Sequence, residues 1–185
     1  MKSFLFSFLL LLFTSNLLAQ ENIQTGTFNV SGSLSYSSTS SEGNDFSTKQ
    51  LILTPQVGYF VLDNISLSLA IQYINYSYGE YDDTQWGFGP SVRYYLPLEK
   101  VYPFLEMSYL YSKFIDNEDE ARKQNTFMIS GGLDYFLNES VAIESSISYT
   151  FENYKLPESY SAYYSDLEFT RNTLRIGIGL NVFIK

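Results

Sequence analysis

The segment Thr173-Leu174-Arg175-Ile176-Gly177-Ile178-Gly179-Leu180-Asn181-Val182 alternates apolar residues with polar or small ones. A side-chain period of two belongs to an extended strand with one apolar and one polar face; a helix would repeat at three and four. Seven further runs upstream carry the same signature. Phe28, Val30, Gly32, Leu34 and Tyr36 alternate with Asn29, Ser31, Ser33 and Ser35, and Leu51, Leu53, Pro55, Val57 and Tyr59 with Gln50, Thr54, Gln56 and Gly58. Leu67, Leu69, Ile71 and Tyr73 define a third apolar face, and Trp86, Phe88, Pro90, Val92 and Tyr94 a fourth. The remaining three are Leu105-Met107-Tyr109-Tyr111, Phe127-Ile129-Leu133-Tyr135 and Val141-Ile143-Ile147-Tyr149-Phe151. Ile52, Leu110, Met128 and Phe136 break the pattern by falling on polar faces.

The connections between runs alternate in length. Short links lie near Asp63-Asn64, Pro97–Lys100 and Asn138–Ser140, whereas long polar links span 38–47, 79–84, 112–124 and 152–170. Short turns at one end and long loops at the other describe an all-β, eight-stranded, antiparallel up-and-down barrel. No composition break or helix-period stretch suggests a second domain. Each run supplies about 9–11 residues, enough for a tilted strand to cross a bilayer. Pro55 and Pro90 fall on strands that look central, where each removes a ladder donor.

Composition narrows the function. The 185 residues include no Cys and no His, 17 Tyr and 15 Phe, with a formal net charge of −9. Without Cys there is no disulfide framework, thiol nucleophile or Cys-held metal. Without His the commonest general base and metal ligand are missing, and a Ser nucleophile lacks its usual partner. No catalytic, cofactor-binding or metal-binding residue is assigned. Eleven basic against 20 acidic residues argue against a nucleic-acid partner. At the N-terminus, Lys2, an apolar run from Phe4 to Phe13 and the ending Asn16-Leu17-Leu18-Ala19 have the form of a secretory signal peptide. Cleavage is expected after Ala19, which makes residues 1–19 the signal peptide and 20–185 the barrel domain.

Which face of the strands meets apolar surroundings separates two architectures. A soluble lipocalin-like periplasmic barrel would turn its apolar face inward around an apolar ligand. The polar faces here are rich in Ser, Thr, Gly and Gln rather than Lys and Glu, which suits a packed interior better than a water-exposed surface. On the apolar faces, Tyr36, Tyr73, Trp86, Tyr109, Tyr111, Phe127, Tyr149 and Phe151 lie at the loop end, and Phe28, Tyr59, Tyr94 and Tyr135 at the turn end. Leu, Val and Ile fill the band between. Two aromatic belts around an aliphatic band match the two boundaries of a membrane.

On this pattern the chain resembles the small outer-membrane β-barrel proteins of Gram-negative bacteria, the group with OmpX-like and OmpA-barrel-like members. Arg175, Gly177, Leu180 and Val182 look like the C-terminal assembly signal of that group. The resemblance implies residence in outer-membrane lipid and recognition of the last strand by the barrel-assembly machinery. Phe183 is out of register with that signal.

Eight strands enclose an interior that side chains can fill. Counting from the short turns puts Arg93 diagonally across from Glu106, and Asp134 almost opposite Glu144. Facing carboxylates repel, so Arg93 and Arg175 are expected to bridge Glu106, Asp134 and Glu144 in a plug of paired charges. The four long links hold 13 acids and four bases. Carboxylates there could take divalent cations, but none has the spacing of a calcium loop. The Tyr- and Ser-rich stretch 152–170 suits protein contact. The expectation is a monomeric, non-enzymatic outer-membrane barrel with a closed lumen. Its role would be structural or adhesive, with an extracellular partner engaged through the four long links. The alternatives are the soluble apolar-ligand barrel and a narrow pore.

Overall fold

The computed structural model describes residues 23–40, 47–78, 81–96, 98, 100–115, 121–155 and 168–185. The stretch read as a signal peptide, 1–19, lies outside them. Eight strands follow in order: β1 (Phe28–Ser40), β2 (Ser47–Leu62), β3 (Ile65–Tyr78), β4 (Tyr81–Tyr95), β5 (Val101–Ile115), β6 (Ala121–Phe136), β7 (Val141–Lys155) and β8 (Glu168–Ile184). Each pairs antiparallel with its sequence neighbour, and β8 returns to β1 from Phe28↔Ile184 to Tyr36↔Ile176, so the sheet is a closed barrel. Closure leaves no unpaired strand edge.

The strands are 13 to 17 residues long, longer than the 9–11 expected. They continue past the aromatic positions into stretches that read as loops, where polar residues occupy both faces and pairing persists without an apolar stripe. Of the long links, 41–46, 79–80, 116–120 and 156–167 lie outside the described residues. At the other end, β2 and β3 join through Asp63-Asn64, with Asn64 at φ 66°. Asn tolerates this left-handed conformation better than most residues. A β-bulge at Val61 precedes the turn.

The apolar face points outward. Leu69 is 70% exposed and Ile176 66%, whereas the alternating Gln56, Gln72, Ser68, Ser108 and Thr150 are buried inside. This is the reverse of a soluble ligand-binding barrel. The aromatic positions contact one another across strands on the outer surface. Ring centroids are 4.9 Å apart for Phe28–Tyr59 at the turn end and for Tyr73–Trp86 at the loop end. Pro55 and Pro90 sit where ladders lapse. β2–β3 pairing skips Thr54 and Pro55, and β4–β5 pairing skips Gly89 and Pro90, although the opposite ladder of each strand runs through. A missing N–H can be tolerated on one side of a strand in this way.

Candidate functional site: a plug and two charged layers in the lumen

The turn end of the lumen is closed by an aromatic plug. Phe60, Tyr95, Tyr102, Phe104, Phe136 and Phe183 are all buried, packed with Ile23 and Ala142. Phe136 stacks on Phe183 at 5.0 Å and meets Tyr102 at 4.7 Å, while Tyr95 lies 5.9 Å from Phe104. Such pairs contribute about 0.5–1.5 kcal/mol each beyond the area they bury. Phe104 lies against Gly132, where an added Cβ would come within 2.6 Å of the ring. Phe183, out of register with the outward pattern, is an inward plug residue, and Ile184 takes the outward place beside Phe28. The chain before β1 seals the plug from below. Ile23 accepts a hydrogen bond from the Asn64 amide, and Thr25 donates its amide and hydroxyl to Asp63 Oδ1, each at 2.9 Å. These two bonds hold the Asp63 carboxyl below its ordinary range, the backbone bond contributing most.

Directly above the plug sits the first charged layer. Arg93 lies 4.0 Å over the Phe104 ring. It donates from Nε to Glu106 at 2.6 Å and from Nη1 to Glu144 at 2.7 Å and to the Tyr95 hydroxyl at 3.2 Å. Asp134 stands directly opposite Glu144, and Asn181 Nδ2 serves both, at 2.8 and 2.9 Å to Asp134 and 3.1 Å to Glu144. Arg93 is also directly opposite Glu106 rather than diagonal to it, because the Pro97–Lys100 turn brings Tyr95 level with Phe104. Four of the five charges expected together therefore meet here, with one guanidinium among three carboxylates.

Arg175 does not join them. It faces Ser148, four residues along β7 from Glu144, which is about 13 Å of strand. There it pairs with Glu152 at 2.5 Å in a second layer. Glu152 also accepts from Arg171 Nε at 2.7 Å and from the Tyr154 hydroxyl at 2.7 Å. Beside it, a chain of amides runs from the Tyr76 hydroxyl to Gln85, on to Gln124 at 2.7 Å and then to Thr126. Glu152 and Arg171 are absent from the expected set, since Glu152 falls at the start of the 152–170 link and Arg171 between that link and the run that begins at Thr173. The signal that would have found them is parity. Thr150, Glu152 and Tyr154 on β7, and Arg171, Thr173 and Arg175 on β8, keep the inward alternation.

Between the layers lies a small polar chamber of about 30 Å³, lined by Ser33, Ser35, Gln56, Gln72, Ser146 and Ser148, with Arg93 and Arg175 at its two ends. That is room for about two waters. On β8, Arg175 and Gly177 are buried inside, Leu180 is exposed on the outer face, and Val182 is half-buried at an outward position.

Comparison with curated proteins gives no sequence match. Among solved structures, Neisserial surface protein A is similar with a TM-score of 0.56 and 16% identity, over 85% of this chain and 97% of that one. The N-terminal β-barrel domain of Pseudomonas aeruginosa OprF is similar with a TM-score of 0.53 and 13% identity, over 86% of this chain and 98% of that one. At such identities the likeness is one of fold. The outer membrane protein beta-barrel domain matches residues 6–183. That match spans nearly the whole chain and agrees with a closed eight-stranded ring whose apolar face points outward: the chain belongs to the outer membrane protein beta-barrel family.

Proposed function

We propose that the protein is a non-catalytic, monomeric barrel of the outer membrane, closed to solutes, which acts through its long connections in envelope integrity or surface adhesion. The observation that carries the closed reading is the double obstruction of the lumen, by the aromatic plug and by the Arg93 layer above it. A chamber of about 30 Å³ between the charged layers admits water but not a sugar or a peptide. The lack of His and Cys in the chain supports a role without catalysis. The strands carry the sheet to the rim of the acidic links, where an extracellular partner would bind. Arg175, Gly177, Leu180 and Val182 on β8 would be read by the assembly machinery, and export would end with cleavage after Ala19.

Conductance in planar bilayers tests closure: the refolded barrel is expected to give no steady channel, and stable openings on the order of a nanosiemens would favour the pore instead. The face assignment has its own test. Leu69→Arg puts a charge at mid-strand on the outer surface and is expected to cost about 2–4 kcal/mol in urea titrations of the liposome-inserted protein. Unchanged stability would mean that this surface does not meet lipid at mid-depth.

A further inference from the structure

Three lysines stand side by side on the outer surface at the loop end of the barrel. Lys113 on β5 is directly opposite Lys123 on β6, and Lys123 is directly opposite Lys155 on β7. All three share the outward parity of Tyr111, Phe127 and Phe151, and all three are exposed. Like charges in adjacent cross-strand positions repel, and neighbouring strands are only about 4.8 Å apart. Lys155 is partly neutralised by Glu168 at 3.5 Å. Among the described residues Lys113 and Lys123 have no acidic partner within ion-pair distance. The row is also a local reversal of sign, because the links beyond it are the acidic ones and the whole chain carries −9.

The same row continues on its other side into the aromatic belt. Trp86 is opposite Lys113, and Tyr73 is opposite Trp86. Lys113 lies over the Tyr111 ring at 5.9 Å, and a groove of about 490 Å³ runs between Thr84, Trp86, Phe88, Tyr111 and Lys113. Rows across a barrel slant with the tilt of its strands. Lys113 is therefore two residues past Tyr111, whereas Lys123 and Lys155 are four past Phe127 and Phe151, about 7 and 14 Å along the strand. Long lysine stems can bend to level such a difference.

We infer that this row, with the Trp86–Phe88 groove below it, is a binding site for the phosphate-bearing headgroup of a lipid in the leaflet beside the long connections. The ammonium groups meet the phosphate, and the aromatic groove takes the upper part of an acyl chain. An anion there removes the repulsion among the lysines, so the site recognises charge rather than apolar bulk alone. The inference rests on the reading of the outer face as the lipid face.

Trp86 is the only tryptophan of the chain and adjoins the row, so its fluorescence reports on this site. The full barrel is refolded into vesicles of brominated phosphatidylcholine, which quenches Trp86, and unbrominated phosphatidic acid is titrated in. Relief of quenching beyond simple dilution measures the preference for the phosphomonoester headgroup. The wild type is expected to favour phosphatidic acid, and each lysine removed by Lys113→Gln or Lys123→Gln should lower that preference roughly five-fold. Lys49→Gln, on the outer face of β2, should leave it unchanged. Glu168→Gln, which frees Lys155, should raise it, so the test survives a lysine variant that fails to fold. A wild-type protein without preference, or a preference that persists after both lysines are lost, overturns the inference. Absence of quenching by the brominated lipid alone would instead overturn the membrane reading on which it rests.

Discussion

The two charged layers of the lumen are built on the same plan with opposite signs. At the turn end a single cation, Arg93, holds three acids, Glu106, Asp134 and Glu144, together with Asn181. At the loop end a single acid, Glu152, holds two cations, Arg171 and Arg175. They differ in access to water. The Arg93 side chain is 6% exposed and rests on the aromatic plug, whereas Arg171 is 43% exposed at the mouth. A buried charge stripped of its partner is costly, and an exposed one relaxes into solvent. The lower layer is therefore sealed throughout, whereas in the upper layer Glu152 and Arg175 are equally buried and Arg171 alone of the three reaches water.

Removing each hub tests that difference most directly. Arg93→Met leaves three carboxylates sealed above the plug without a cation and is expected to cost about 3–5 kcal/mol in urea unfolding. Glu152→Gln strands two guanidiniums, one of which can turn outward, and should cost about 2 kcal/mol. An equal or reversed order would show that access to water does not distinguish the layers. The smallest effect lies beneath the plug. Asp63, with its carboxyl held low by Thr25, stabilises the segment before β1 at any pH above the ordinary carboxylate range. That contribution is lost as pH falls through the lowered value in the folded state. The protection of the Thr25 amide, taken relative to its intrinsic exchange rate at each pH, should therefore fall on acidification, and Asp63→Asn should abolish that change in protection while leaving the upper layers unaffected.

The lower layer was largely legible in the chain because it lies within a few residues of short turns. Counting outward from Pro97–Lys100 and Asn138–Ser140 accumulates little error over that distance. Past the belts the outward positions become Asn125, Asn153, Thr170 and Asn172. Both faces are then polar, and the contrast that reveals a strand disappears although the hydrogen bonds continue. Glu152 and Arg171 were lost for that reason, and Arg175 was assigned to the wrong partners as a result. The plug was obscured differently. Tyr59-Phe60, Tyr94-Tyr95 and Tyr135-Phe136 are doublets in which the first ring faces out and the second faces in. Read along the chain, the second ring looks like an irregularity. In the closed barrel it is the part that fills the lumen.

The prolines give the ring an uneven seam. Pro55 interrupts the ladder on one side of the β3–β4 hairpin, and Pro90, with the facing Tyr109 and Leu110, interrupts the ladder on the other. Inside the hairpin, pairing runs unbroken from Ile65↔Tyr94 to Tyr78↔Tyr81. The ladder between β3 and β4 is thus continuous, whereas each ladder on its outer sides skips two residues. In the language of cooperative substructures, such lapses would be the borders along which a hairpin parts from the ring before the whole barrel unfolds. Transient opening of the barrel wall would then concentrate along two predefined lines.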